Sequence, residues 1–239
     1  MNVKEIKQKL ASLAKQERAV QSKRYLKSDY DFYGITVPEL RKMAKEMKKE
    51  KNMNIYECYN IFDELWNSGN HEEMSLALYL LDLFKKEYSI ETWDFLLKEK
   101  NGKIRAEKAK SWDHIDELGC HIVGEIFLKN YSALSNEVKK LSESINAWMR
   151  RLSIVCQYPS IKKGKIQLTL LLAEKLVYDE DIYVQKGAGW MLRECGKKNR
   201  VQVEQFIKIH KNMKPTAFSY ATEKMLELRK LLKDARKAK

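Results

Sequence analysis

The sequence holds little of what breaks or staples a chain. Only 9 Gly and 3 Pro punctuate its 239 residues, too few for the turn-rich connections of a sandwich or barrel. No segment alternates apolar and polar residues between turn signals, so the pattern excludes a sheet protein and predicts an all-α chain. The four cysteines, Cys58, Cys120, Cys156 and Cys195, lie far apart, without a Cys-x-x-Cys pair, among helix-patterned apolar residues. That spacing argues against a disulfide framework or zinc ribbon and for small core residues in a reducing compartment. Cys120 and His121 are adjacent, which aims their side chains apart on a helix, so neither metal nor cofactor is expected. The chain lacks any apolar run of about 18 residues, and Met1-Asn2-Val3-Lys4 lacks the apolar core of a signal peptide. A cytoplasmic, nucleoid-associated protein without a membrane partner is the expectation. Acidic residues are in deficit: 33 Asp and Glu face 46 Lys and Arg, a formal net charge of +13. That excess points to an anionic partner, nucleic acid first and an acidic membrane surface second, against the bland alternative of a Lys-rich composition.

What the chain does have is helices with capped starts. Thr36-Val37-Pro38-Glu39 is a capping box with proline in the first turn, and Asn54, Asn70, Ser89, Asn146 and Asp181 each precede an apolar-periodic stretch. Aligning Thr36, Asn70, Asp113, Asn146 and Asp181 gives a period of roughly 35 to 45 residues, the range of two-helix repeats. Asn146-Ala-Trp-Met-Arg-Arg-Leu-Ser and Asp181-Ile-Tyr-Val-Gln-Lys-Gly-Ala match in register. The expected architecture is a superhelical solenoid of helical hairpins with a long concave face, one domain over residues 1–239. The basic stretch 229–239 reads either as a frayed helix end or as a non-specific attractor of phosphates.

The stretch Lys110-Ser111-Trp112-Asp113-His114-Ile115-Asp116-Glu117 organises the rest. With Asp113 as N-cap, Asp116 falls at the third helical position, where capping and the helix dipole account for it. Trp112 is left without a local partner, because the residue it would staple against is Glu117. On the helix Ile182–Cys195, Val184, Ala188, Met191 and Cys195 share one face and should be buried. Trp190 lies off that face near Lys186 and Arg193, either covered by the neighbouring repeat or exposed for binding. Arg151 occupies in its repeat the place of Lys186, so the two would begin a basic stripe.

Three segments, Trp112-Asp113-His114-Ile115-Asp116, Asn146-Ala147-Trp148-Met149-Arg150-Arg151 and Gln185 through Glu194, resemble the AlkD-like DNA alkylation repair family. The likeness begins near Arg24-Tyr25-Leu26-Lys27 and Tyr33-Gly34-Ile35-Thr36-Val37-Pro38. It implies a HEAT-like repeat fold with a concave basic face, and a monofunctional DNA glycosylase that hydrolyses the N-glycosidic bond of N3- or N7-alkylated purines in duplex DNA, acting as a monomer. By position, Asp116 matches the catalytic carboxylate, and Trp112 and Trp190 match two indoles flanking the damaged nucleotide. Arg151 matches a base on the DNA backbone, with Lys186 beside it in the stripe; Tyr25 and Arg193 match further DNA-facing positions. Ser111 departs from members that carry a second Trp there. The resemblance also implies that the duplex is gripped by its backbone with the lesion left largely stacked, which would admit bulky adducts.

The chemistry suits these residues. An alkylated purine already carries positive charge and leaves readily, so the group in need of stabilisation is the cation developing on deoxyribose. A carboxylate about 4 Å away at an effective dielectric near 20 contributes on the order of 4 kcal/mol, roughly a thousandfold in rate. Indole faces add cation–π stabilisation. The competing reading is a catalytically silent repeat protein that binds unusual DNA structures or protein partners, keeping the basic stripe and gaining nothing from Asp116.

Overall fold

The computed structural model describes residues 2–230; most of the basic stretch 229–239 lies outside them. The chain divides into two compact units, Met1–Glu117 and Leu118–Lys239. Among the described residues the regular structure is helical, with only two isolated bridges, Asp31 to Asn70 and Lys100 to Lys103. No helix is long and apolar enough to cross a membrane.

The first unit contains α1 (Val3–Ser12), α2 (Gln16–Leu26), α3 (Val37–Lys51), α4 (Ile55–Trp66), α5 (His71–Asp82), α6 (Ile90–Leu97) and α7 (Trp112–Glu117). The caps expected from sequence start these helices. Glu39 N–H donates to Thr36 Oγ1 while Thr36 N–H donates to Glu39, and Asn54 and Glu57 repeat that exchange. Helix α5 packs against α3, α4 and α7. Being flanked on several sides, it buries every residue from Glu72 to Leu81.

Two of those buried residues are glutamates. Glu72 accepts from the N–H groups of Tyr33, Gly34 and Ile35 at 3.0, 2.7 and 3.2 Å. Glu73 accepts from Tyr33 Oη at 2.8 Å and meets Lys7 Nζ at 3.0 Å. A buried carboxylate is tolerated only with such partners, and these fix the loop that enters α3.

The second unit opens with a π-helical turn, Leu118–Val123, then α8 (Gly124–Lys129), α9 (Tyr131–Leu141), α10 (Ala147–Val155), α11 (Tyr158–Lys162), α12 (Gln167–Leu176), α13 (Ile182–Gly196), α14 (Arg200–Ile209) and α15 (Pro215–Ala221). The second helices of successive hairpins, α10, α13 and α15, lie side by side, while α12 and α14 back onto α13. The expected all-α stack of helical hairpins is therefore the architecture. As patterned, Val184, Ala188, Met191 and Cys195 are completely buried. All four cysteines are free and buried, and burial pushes the thiols of Cys58, Cys156 and Cys195 up to about 12.

Glycine lets α13 approach its neighbour. A Cβ at Gly189 would sit 2.5 Å from the Ala217 carbonyl oxygen and 2.6 Å from Tyr220 Cβ. We therefore expect Gly189→Ala to cost about 1–3 kcal/mol by forcing α13 and α15 apart. Denaturant unfolding that matches wild type would contradict so tight a packing.

Candidate active site

The residues expected to act lie in both units. In the first, the start of α7 differs from the expectation. Ile115 N–H donates to the Ser111 carbonyl at 3.2 Å, so Ser111 stands at the cap position and Trp112 is the first helical residue. Asp113 is not the N-cap, because its carboxylate is engaged elsewhere: His71 Nε2–H donates to Asp113 Oδ2 at 2.7 Å. Asp116 is accordingly the fifth helical residue, beyond the reach of a capping box, and the structural explanation that sequence offered for it lapses.

Helical spacing then sorts α7 into stripes. Trp112 and Asp116, four apart, share one, and both are half-buried. Asp113 and Glu117 share the next and hold the helix down. Arg41 donates to both Glu117 carboxylate oxygens at 2.8 and 2.9 Å, with its guanidinium 4.1 Å from the Tyr79 ring centre. His114 and Ile115 are buried. The structure also supplies Trp112 with a neighbour that local spacing could not reveal: the Tyr25 ring of α2 meets it edge-on at 6.0 Å. Tyr25 itself is 73 % exposed, so two site residues anticipated from sequence form one aromatic corner open to solvent.

Behind this corner lies a cluster that the sequence did not announce. Phe32, His71 and His114 form a stack of three rings with centroid spacings of 4.8 and 4.3 Å. His114 is enclosed by Tyr30, Trp66 and His71. Its Nε2 lies 2.9 Å from Ser75 Oγ and 3.2 Å from the His71 carbonyl, which assigns the ring proton to Nε2. Burial, reinforced by the neighbouring His71, pushes His114 down to about 3, so it is neutral at pH 7. For Asp113, burial is the largest single influence and acts to raise the carboxyl, but the hydrogen bond from His71 and the charges of His114 and His71 when protonated together outweigh it and hold it well below the usual range.

His71, Asp113 and His114 bring three potential metal-ligand atoms within 4.8 Å of one another. The geometry does not suit an ion. The two imidazoles are stacked with planes 18° apart, so their in-plane lone pairs run side by side, and an ion about 2 Å along one would lie far out of the other's plane.

In the second unit, Arg151 is only 4 % exposed and its Nη1 donates to the Tyr183 carbonyl. Its guanidinium lies against Gly187, where an added Cβ would come within 3.2 Å of it. Lys186 places Nζ 5.2 Å from the centre of the Tyr183 ring, so Arg151 and Lys186 converge on one residue. Trp190 is half-buried, with the Tyr158 ring at 5.9 Å. Arg193 is bound to the carboxylate of Glu223, with Glu194 Oε1 at 3.5 Å.

The model of the family described as DNA alkylation repair enzyme matches residues 6–225. The chain belongs to that family. Two solved structures share its fold. A predicted DNA alkylation repair enzyme from Enterococcus faecalis superposes with a TM-score of 0.74 at 21% identity, covering 89% of this chain and 96% of the other. AlkD2 from Streptococcus mutans gives 0.60 at 18% identity, covering 85% and 97%. No curated protein matches the sequence. As a DNA alkylation repair family member, the chain carries Asp116 and Trp112 on a half-buried stripe of α7, beside the stripe that makes the bracing contacts.

The His114 environment generates a pH prediction. Its folded value of about 3 lies below the ordinary 6.5, so between these values the unfolded chain binds the extra proton. Stability is therefore complete above pH 6.5 and falls as pH drops toward 3, by at most about 1.4 kcal/mol per pH unit for this proton. Asp113, also depressed, adds to the loss at the acid end. Thermal melts from pH 7.5 to 4 should show the decline. His114→Gln should start from a lower melting temperature and decline less steeply; a parallel decline would mean that His114 is not its source.

Proposed function

We propose that this family member is a monofunctional DNA glycosylase that removes N3- or N7-alkylated purines from duplex DNA. The observation that carries the reading is the half-buried Trp112–Asp116 stripe of α7. Asp116 lies past the capping turn, one helical turn from an indole held edge-on by Tyr25, on a helix fixed by the His71–Asp113 and Arg41–Glu117 contacts. A carboxylate on a rigid helix suits a reaction in which positive charge grows on a sugar, because its field is in place before the charge develops.

In that reaction the C1′–N bond breaks with both electrons passing to the purine, which neutralises its ring charge. Water then bonds to C1′ and gives up a proton. Asp116 stabilises the sugar cation and orients the water, and Trp112 presents its π face to the same charge. Trp190 keeps the role of second indole that the resemblance implies. Lys186 is the better candidate for a backbone phosphate in its unit, since Arg151 is buried on the Tyr183 carbonyl and Arg193 is paired with Glu223.

Release of free base from duplex DNA containing N7-methylguanine tests the proposal. Asp116→Asn should reduce excision by about a thousandfold or more with the fold and duplex binding kept. Should excision per folded molecule survive in Asp116→Asn, or be absent in wild type, the protein is a non-excising DNA binder. Trp112→Ala, changing a half-exposed ring, should slow single-turnover excision by roughly twofold to thirtyfold if the indole lends about 0.5–2 kcal/mol to the cation. An unchanged rate would remove Trp112 from the chemistry.

A further inference from the structure

Within the first unit, two adjoining cavities of about 300 and 400 Å³ share Trp66, Asn67 and Lys108 and so form one groove. Lys27 and Lys110 line one end, and Lys100 and Lys103 the other. All five lysines are exposed, and among the described residues none is paired with a carboxylate. The acids in the walls do not balance them. Asp63 is already bound by Arg105 at 2.5 and 2.8 Å, leaving Asp29 alone against five positive charges.

The segment that presents most of these lysines is held rigidly. Tyr30 Oη donates to the Lys108 carbonyl at 2.9 Å and accepts from Lys110 N–H at 2.7 Å. Trp66 Nε1–H donates to the Arg105 carbonyl at 2.8 Å, and Arg105 Nη1 donates to the Phe95 carbonyl at 2.8 Å. Like charges gathered along the groove repel one another, with only Asp29 in its walls to offset them. A ligand with spaced negative charges would supply the offset. The walls also indicate which part of that ligand they meet. Their aromatic rings, Tyr30 and Trp66, are 8 % and 1 % exposed, so no ring is available for a base to stack on.

We infer that this groove binds the phosphates of one strand of duplex DNA, independently of sequence, alongside the strand engaged by the Trp112–Asp116 stripe. The inference deepens the glycosylase reading, from which it takes DNA as the partner. A contact of this kind adds affinity and salt dependence rather than base selectivity.

The test measures binding of the full chain to a labelled undamaged duplex across a salt series. Lys27→Gln, Lys108→Gln and Lys110→Gln should each weaken binding several-fold at low salt. Each should also make the log–log salt slope shallower by about 0.9. Lys45→Gln, an exposed lysine of α3 outside both cavities, should change neither. Because the native cysteines are all buried, Lys108→Cys can carry a thiol-attached photocrosslinker, which should form an adduct with the duplex. Wild-type slopes in all three glutamine variants, or no adduct, would overturn the groove. Base release by wild type, scored separately on alkylated duplex, reports on the glycosylase reading: excision with unchanged slopes rejects only the groove, and the expected slopes without excision reject only the glycosidic chemistry.

Discussion

The hydrogen bond from His71 to Asp113 is the constraint on which the α7 corner depends. It joins the first residue of α5 to the first turn of α7, and it withdraws from Asp113 the capping role that its position invites. The helix therefore begins two residues earlier than an Asp cap would start it, and Trp112 and Asp116 fall together on the stripe beside the bracing contacts. A charge-assisted bond shielded by the Phe32–His71–His114 stack is worth more than the same bond in water. Arg41 secures the next turn through Glu117.

Five arginines of this molecule are committed to acceptors inside it. Arg41, Arg105, Arg150, Arg151 and Arg193 bind carboxylates or carbonyls within the fold. The planar, multi-donor guanidinium suits fixed internal acceptors. The lysines of the first-unit groove remain exposed, where a compact, hydrated charge on a flexible stem can meet phosphates without a set geometry. The formal charge of +13 is thus unevenly useful: part of it holds helices together, and the part available to an anionic partner is mainly lysine.

Much of the fold was legible in the sequence because its signals are local. Capping at Thr36, Asn54, Asn70, Asn146 and Asp181 needs only a side chain and the two or three residues after it, and each is observed. The buried stripe of α13 needs only helical periodicity. The scarcity of glycine and proline and the absence of alternation determined the all-α class, and the motif resemblance singled out Trp112 and Asp116 before their setting was visible.

Tertiary structure decided what depends on partners distant in sequence. That Asp113 binds His71 and not its own helix start, and that Tyr25 lies against Trp112, involve separations of 42 and 87 residues. No local pattern encodes them. The same holds for Arg151, whose place in the repeat suggested a surface base and whose guanidinium is buried on the Tyr183 carbonyl. It holds also for the groove lysines, gathered from positions 27 and 100–110 by the side chains of Tyr30, Trp66 and Arg105. Sequence determines which residues are able to cap, pair or carry charge; packing determines which acceptor each one reaches, because the free energy of a polar side chain depends on the neighbours that replace its water.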